Sequence, residues 1–338
     1  MIKKWTLICV WLVSLMIIVG GMTRITDSGL SITEFELLDG VVPPFTKKAW
    51  EKKFNKYQKT SEFKLINYNM SIKEFKVIYW WEYFHRLLGR IIGLFFLVPV
   101  LFKKLFFKRF SHLYKRYVVL FFMTVFQGIV GWYMVASGLK EGMVNVAHFR
   151  LSMHLSLAVI LFCYLIWTLF LIYNNDNLVK GHKKLYSLLL LFIPFVFLQI
   201  IFGAFVSGTG AGNLYHTFPS MNGQFIPDSL FAAYSKTGFV SLFNNLSSIQ
   251  FIHRILAMII FIYTIFLFFY SNLRLCDYMI KSSLYIILLA VVCQFLFGVF
   301  VLVFEMSIYF RIFHHIGFLF FVFAFVRLLF YAKKKNPN

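Results

Sequence analysis

The sequence predicts an all-α integral membrane protein with eight transmembrane helices, arranged as two repeated four-helix bundles. Three observations favour this fold class. Of the 338 residues, 60% are hydrophobic and only 14% are charged; about eight apolar runs are long enough to span ~30 Å of hydrocarbon; and similar polar motifs occur in both halves. Because lipid offers the backbone no hydrogen-bond partner, and no alternating barrel pattern is visible, each run is expected to be helical.

The apolar runs follow one another along the chain with two long gaps between them. They begin near Trp5, Val77, Tyr117, Val146, Leu185, Ile249, Ser283 and Ile312. The gaps, residues 23–76 and 207–248, leave four runs in each half, so we expect an N-terminal half of residues 1–180 and a C-terminal half of residues 181–338. In the first gap, the Lys-, Phe- and Trp-rich stretch from Thr46 to Tyr57 predicts a short helix lying on the membrane surface.

The basic residues indicate how the chain is oriented. Lys and Arg total 34 against 13 Asp and Glu, a formal net charge of +21. In a soluble protein this charge would favour a nucleic-acid partner, but here the basic clusters lie at both ends and after the second, fourth and sixth runs. This positive-inside pattern predicts lipid as the surrounding partner, no nucleic acid, cytoplasmic termini and outward-facing gaps. The uncleaved first run and the lack of an evident transit peptide favour a bacterial inner (plasma) membrane.

Polar motifs recur at corresponding places in the two halves. The second run contains EYFHR around His85, and the sixth contains QFIHR around His253. The fourth run contains RLSMHL around His154, and the eighth contains RIFHHIGFL around His314. Duplication of an ancestral four-helix unit is the simplest explanation of this recurrence.

The four repeated histidines point to two iron centres. On the predicted orientation they lie at a similar shallow depth toward the outer side of the membrane. Neutral imidazole is an axial ligand of haem iron, and helical bundles hold haem between facing helices, so we pair His85 with His154 and His253 with His314. For any single histidine, an interfacial or hydrogen-bonding role is the competing interpretation; four repeat-related positions favour ligands.

Arginines beside these histidines are candidate partners of the haem propionates, because a guanidinium can pair with a carboxylate in the membrane. Arg86 and Arg254 directly follow a histidine, whereas Arg90 lies one turn beyond Arg86 and Arg150 lies one turn from His154. Snorkelling to lipid headgroups is the competing interpretation of the first two. The sequence does not decide which of the four contacts a propionate.

The two halves differ at one informative position. Glu82 lies one turn from His85, whereas the equivalent place near His253 holds the uncharged Gln250. A carboxylate beside one haem can act as a base or stabilise developing positive charge. The competing interpretation is an i, i+4 salt bridge between Glu82 and Arg86, and both roles can hold together.

These motifs, with GGMTRITDSGLS after the first run and YHTFPSMNGQFIP in the second gap, resemble haem A synthase over nearly the whole chain. The resemblance implies oxidation of the C8 methyl of haem O to a formyl group by successive hydroxylations, giving haem A for cytochrome oxidase. By motif, His253 and His314 would ligate a cofactor haem b, while His85 and His154 would hold the substrate haem O. Glu82 would be the catalytic glutamate.

Two departures and several alternatives stay open. The first gap lacks the cysteine pair of some members, so the chain resembles the proteobacterial and mitochondrial branch. It has His314-His315 where that branch often has His-Gln, and we choose His314 on its His-x-x-Gly pattern.

A di-haem b-type electron-transfer cytochrome is the main alternative, and a haem transporter or delivery protein is another. An electron donor of unknown identity is required, and haem O synthase and cytochrome oxidase assembly factors are further candidate partners. The oxygen-atom source and the oligomeric state are not set by the sequence.

Overall fold

Among the residues described by the computed structural model, eight helices are long and apolar enough to cross a membrane, which confirms an all-α integral membrane fold. The structure describes residues 1–34, 39–174, 181–272 and 277–333. The eight helices are α1 (Ile2–Ile25), α2 (Ile72–Leu101), α3 (Tyr114–Gly138), α4 (His148–Tyr173), α5 (Lys183–Thr209), α6 (Leu246–Asn272), α7 (Tyr278–Val303) and α8 (Ile308–Ala332).

Polar caps explain why several helices begin before their apolar runs. Ser71 precedes α2, and its hydroxyl accepts a hydrogen bond from the Glu74 backbone N–H, while the Glu74 carboxylate accepts one from the Ser71 N–H. The Asp277 carboxylate accepts from the first turn of α7 in the same manner. Such caps satisfy amides that have no partner within the helix, so α2 starts five residues before the run predicted from Val77.

The chain divides into two compact units, residues 1–162 and 163–338. In the first unit, α1 packs against α2, and α2 packs against α3. In the second unit, α5, α6, α7 and α8 pack in sequence, and α8 also contacts α5, which closes a four-helix arrangement. The division expected at residues 180 and 181 remains a prediction, and residues 175–180 lie outside the described part of the chain.

The described parts of the first long loop, residues 26–34 and 39–71, fold onto the start of α2. The helix predicted from Thr46 is confirmed as Lys47–Tyr57, with the Thr46 hydroxyl accepting from the first turn. A second short helix, Ser61–Leu65, follows it. We call the buried side chains that join this loop to α2 the aromatic cap; they are Ile32, Trp50, Tyr57, Phe75, Ile78, Tyr79 and Tyr83.

The second long loop, residues 210–245, covers the start of α6 in a comparable manner. It contains the helix Asp228–Thr237 and two shorter turns of helix. A smaller buried cluster joins the end of α5 and this loop to α6; its members are Phe202, Phe205, Ala211, Ile249 and Leu256. In each unit, therefore, a loop packs over the helix that carries the His-Arg motif.

Candidate functional site

The four repeated histidines lie on α2, α4, α6 and α8, and all four side chains are half-buried. In the first unit, His154 is close enough to His85 to interact with it electrostatically. His314 stands in the same relation to His253 in the second unit. The structure thus brings the predicted partners together two by two, one pair in each unit.

In the first unit, each histidine ring packs against a glycine on the preceding helix. A β-carbon at Gly20 on α1 would lie 3.0 Å from Nε2 of His85. A β-carbon at Gly131 on α3 would lie 2.9 Å from Cε1 of His154. Ordinary carbon contacts are ~3.5–4.0 Å, so neither ring could keep its place beside a larger residue.

The second unit repeats this contact on its own helices. A β-carbon at Gly203 on α5 would lie 3.1 Å from Cε1 of His253, and one at Gly298 on α7 would lie 3.0 Å from Cε1 of His314. His314, which was chosen from the sequence, is thus the ring that makes the repeated glycine contact. Its neighbour His315 is also half-buried.

Glutamines one turn before three of these glycines contact the same histidines. The Gln127 side-chain amide donates to the His154 backbone carbonyl at 2.8 Å. The amide nitrogens of Gln199 and Gln294 lie 3.4 Å from Nε2 of His253 and of His314 respectively. Residues four apart share a helix face, so each glutamine and its glycine present one surface to the imidazole.

This Gln-x-x-x-Gly pattern is visible in the sequence but is not among the motifs from which the site was predicted. It appears as QGIVG on α3, QIIFG on α5 and QFLFG on α7, while α1 has MIIVG with Met16 in place of glutamine. Because it always precedes a histidine helix, it could have been found by comparing the odd-numbered runs as well as the even-numbered ones.

Several buried polar atoms at these positions have no hydrogen-bond partner among the described residues. They are Nδ1 of His154 and His253, and Oε1 of Gln127, Gln199 and Gln294. Leaving a buried polar group unpaired costs about 1–3 kcal/mol, so such a site is stabilised by a ligand that takes up the available groups. In each unit, the pair of half-buried imidazoles includes one ring with an unpaired Nδ1, which fits a haem held between two histidines.

The Glu82 carboxylate is buried, with a side-chain exposure of 5%, and both of its oxygens accept hydrogen bonds. Arg86 donates to Oε1 at 2.6 Å from Nη2 and at 3.1 Å from Nε. Ser31 Oγ and the Ile32 backbone N–H, both in the first long loop, donate to Oε2 at 2.7 and 2.8 Å. The ion pair weighed as the competing interpretation of Glu82 is therefore present, and it fixes the carboxylate next to His85.

Gln250, the counterpart of Glu82, has the opposite hydrogen-bond direction. Its amide donates to the backbone carbonyls of Gly212 and Tyr215 in the second long loop, at 3.3 and 3.0 Å. The first unit therefore places an anion beside its histidine, where the second unit places a neutral donor.

The two arginines of the repeated motif also bind loop carbonyls. Besides Glu82, Arg86 donates to the backbone oxygens of Ile32 and Glu34, at 2.9 and 3.1 Å. Arg254 is buried and donates to those of Thr217 and Tyr215, at 2.8 and 2.9 Å, while its Nε is buried with no hydrogen-bond partner. Each guanidinium thus anchors the long loop of its own unit.

The other two predicted arginines have different surroundings. Arg150 on α4 donates to the Tyr133 backbone carbonyl at 2.8 Å, and its guanidinium lies 3.7 Å from the centroid of the Tyr133 ring. Arg90 is half-buried one turn along α2 from Arg86, close enough to interact with it electrostatically. Arg150 therefore binds α3, and Arg90 places a second positive charge on α2 near Arg86.

A buried acid in the first long loop was not marked by any motif. Glu62 is only 6% exposed, and its carboxylate accepts a hydrogen bond from the Tyr57 hydroxyl at 2.9 Å. Asn67 in turn donates to the Tyr57 hydroxyl at 2.8 Å. Burial raises the pKa of Glu62 from its ordinary value to about 7, outweighing the Tyr57 hydrogen bond.

Comparisons with known proteins agree with the motifs. The family of cytochrome oxidase assembly proteins, COX15-CtaA, matches residues 3–326. The chain is 43% identical over 317 residues to the heme A synthase of Pelagibacter ubique, covering 94% of this chain and 92% of that protein. It is 38% identical to the heme A synthase of Flavobacterium johnsoniae, covering 91% and 93%, and 40% identical to that of Nitrosospira multiformis, covering 76% and 72%.

Proposed function

Because the chain belongs to the COX15-CtaA family of cytochrome oxidase assembly proteins, we propose that it is a membrane oxidoreductase that converts haem O to haem A for cytochrome oxidase. The observation that carries the proposal is that each unit contains a pair of half-buried histidines, while the two units differ in charge beside that pair. The first unit has the buried carboxylate of Glu82 there, and the second has the uncharged Gln250. Two similar sites with different charge suit one haem that reacts and one that does not.

The first unit is assigned the substrate. His85 and His154 would hold haem O, and the nearby Glu82 would act on the bound molecule. The reaction is oxidation of the C8 methyl of haem O to a formyl group, by successive hydroxylations. The buried, hydrogen-bonded position of Glu82 supports this assignment, because a fixed carboxylate can accept a proton or stabilise positive charge without reorganising.

The second unit is assigned the cofactor. His253 and His314 would ligate a haem b, which when bound supplies one-electron chemistry. Gln250 adds no charge at the corresponding place, so this site would keep its haem without the carboxylate that favours reaction. The electron donor that feeds it is a partner still to be identified.

The arginines are proposed to place the propionates. Arg86 and Arg254 stand next to a ligand histidine and already bind the loop above it, so they would join propionate, loop and helix. The buried Nε of Arg254 is a donor that a carboxylate could use. Arg90 and Arg150 are the second candidates, since Arg90 lies one turn from Arg86 and Arg150 lies one turn from His154.

The same repeat supports two functional halves, residues 1–180 and 181–338, built as two four-helix bundles. The basic clusters support an inner bacterial membrane with both termini in the cytoplasm and both haem sites toward the outer side. A fluorescent reporter fused after residue 338 should be active, and an alkaline phosphatase fusion in residues 220–226 should also be active. The reverse pattern would overturn this orientation.

The direct test is extraction and mass analysis of the haems from protein produced together with a haem O source. Haem B with haem A or a hydroxylated haem O would support the synthase and its two sites. Haem B alone, at two per chain, would instead indicate a di-haem electron-transfer cytochrome and would leave Glu82 without a catalytic role.

A further inference from the structure

We propose that Gly20, Gly131, Gly203 and Gly298 are positioning residues for the reaction: each fixes the imidazole of the next helix where it binds haem iron. The inference deepens the proposed function and rests on it, because it assumes that these histidines are haem ligands. It concerns the helices that carry no ligand at all, to which neither the motifs nor the resemblance gave a role in the site.

The contact itself is the first argument. At all four positions a β-carbon would lie between 2.9 and 3.1 Å from a histidine ring atom, tighter than carbon atoms pack. The ring would have to move by about half an ångström to restore an ordinary contact. Since the ring is attached to a rigid helix, this displacement would be passed on to the nitrogen that faces the ligand.

Other glycines in the same helices show that the contact is not a general property of glycine here. A β-carbon at Gly128, on α3 and three residues from Gly131, would meet nothing within 4 Å. The same holds for Gly93 on α2. Gly138 and Gly317 also approach side chains closely, those of Leu30 and Gln294 respectively, so close contact alone does not mark a histidine site. Gly128 and Gly93, which make no such contact with the described residues, provide matched controls.

The glutamine one turn earlier is the second part of each cradle on α3, α5 and α7. Its amide reaches the backbone or ring of the histidine, and Nδ1 of His314 also lies 3.2 Å from the Gln294 backbone carbonyl. Glycine sets how close the ring can come, and on α5 and α7 the glutamine amide lies against the ring nitrogen and limits how the ring can rotate. A ring N–H that donates to a carbonyl, as Nδ1 of His314 can to that of Gln294, orients a ligand histidine and raises its affinity for the metal.

The exception falls in the half assigned to the substrate. On α1 the glutamine position holds Met16, and the Met16 methyl would lie 3.4 Å from a β-carbon at Gly89, one turn from His85. An apolar thioether cannot donate to the imidazole. His85 thus has the glycine contact but no glutamine amide beside it, because Met16 occupies the glutamine position. A less restrained ring suits a site whose haem is a substrate and is exchanged in each cycle.

Close helix packing is the competing explanation, because small residues are common where membrane helices approach each other. On that explanation, a methyl group at these sites would push helices apart and lower stability, without a specific effect on the iron. A useful test must therefore observe the coordination of the haem and the integrity of the fold separately.

The experiment compares Gly203→Ala and Gly298→Ala with Gly128→Ala and Gly93→Ala in the full-length purified protein. We measure haem b per chain, the absorption and electron paramagnetic resonance spectra, carbon monoxide binding, and helix content by circular dichroism. The first two variants should lose affinity for haem b about tenfold or more. Their remaining haem should become partly high-spin and bind carbon monoxide, while helix content stays that of the unchanged protein and both controls behave like it.

The proposal is overturned if Gly203→Ala and Gly298→Ala keep the low-spin spectrum and haem content of the controls. It is also overturned if haem is lost only in proportion to helix content, or if neither variant accumulates while both controls do, since these results indicate packing. Gly131→Ala asks the same question in the first unit, where haem O retention should fall and haem b should stay. If the unchanged protein itself carries no haem, the proposed function fails instead.

Discussion

Glu82 and Gln250 occupy the same place in the repeat, yet their hydrogen bonds run in opposite directions. Glu82 accepts from Arg86 and from the first long loop, whereas Gln250 donates to carbonyls of the second long loop. A buried ion pair adds little net stability relative to apolar packing. Its retention beside one histidine is therefore better explained by a need for charge than by a need for stability.

Replacing Glu82 with glutamine tests that need. In Glu82→Gln one carboxylate oxygen is replaced by an NH2 group, which cannot accept a hydrogen bond. Either the Arg86 contact or the loop contact is therefore lost, and the negative charge is removed. We expect haem A formation to fall by about 100-fold or more, with haem b still bound, as measured by haem extraction and mass analysis. Glu74→Gln is the control, because Glu74 is exposed on the same helix and glutamine preserves its cap. A normal rate with both haems bound would leave Glu82 only its structural ion pair.

Glu62 provides a prediction about pH. Its pKa is about 7 in the folded protein and near 4.5 when exposed, so the folded state holds its proton more tightly. Between these values the unfolded chain has released the proton and the folded chain has not. Stability should therefore fall as pH rises from about 4.5 to 7, by at most about 3 kcal/mol, and then level off.

The measurement is thermal unfolding of the detergent-solubilised protein between pH 5 and pH 8. Glu62→Gln keeps an acceptor for the Tyr57 hydroxyl and does not titrate, so its melting temperature should fall less over this range. Glu51→Gln, at an exposed position on the neighbouring helix, should retain the full dependence. Equal pH dependence in all three proteins would contradict the role of Glu62.

At the residue scale, functional residues could be predicted from the sequence where a polar or charged side chain is energetically unfavourable in a membrane. A histidine or glutamate in an apolar run needs an explanation, so His85 and Glu82 could be selected and compared between halves. Gly203 and Gln199 could not be selected in this way, because glycine is frequent in membrane helices and one glutamine has many uses. Glu62 was missed because its burial arises only when its loop folds onto α2.

At the scale of elements, the apolar runs located all eight spans but not their ends. Helix α2 extends from Ile72, before its run, because the Ser71 and Glu74 side chains satisfy its first amides. The helix Lys47–Tyr57 was predicted from composition, whereas Ser61–Leu65 is too short to show a periodic pattern. What the composition did not reveal is that Lys47–Tyr57 packs against α2 and that Phe63, in the second short helix, packs against the aromatic cap.

Trp50 tests whether this loop supports the first haem site. It is 6% exposed, with ring centroids of Tyr79 and Trp80 at 5.0 and 5.9 Å and the Lys76 ammonium 5.0 Å above its ring. Trp50→Ala should cost about 3–5 kcal/mol of stability, chiefly through the cavity it leaves. Since the loop also donates to Glu82, haem A formation should fall while haem b content stays unchanged.

The control for this variant is Trp11→Ala, because Trp11 on α1 is 71% exposed. It should melt and turn over haem O like the unchanged protein. Thermal unfolding and haem analysis of the two variants separate the outcomes. Loss of haem b together with haem A in Trp50→Ala would mean that the aromatic cap supports the whole fold and has no particular effect on the first site.

At the scale of the whole molecule, the repeat in the sequence predicts that the function is divided between two halves. Each unit contains its own pair of histidines, glycine contacts and loop-binding arginine, whereas the assignment of a function to each half remains a prediction. The boundary between units is harder to predict. Their compact regions meet within α4, between residues 162 and 163, although the helix is continuous through that point.

The division of labour predicts unequal effects for equivalent histidines. His253→Ala removes a proposed cofactor ligand, so haem b should be lost and haem A should not form. His85→Ala removes a proposed substrate ligand, so haem b should remain at about one per chain while haem O retention and haem A formation are lost. His112→Ala, at an exposed histidine before α3, is the control. Each variant is purified after production with a haem O source, and its haems are identified by mass. If His85→Ala lost haem b and His253→Ala kept it, the two assignments would be exchanged. If each variant lost one of two equivalent haem B molecules, the electron-transfer alternative would be favoured, because two equal sites leave no place for a substrate.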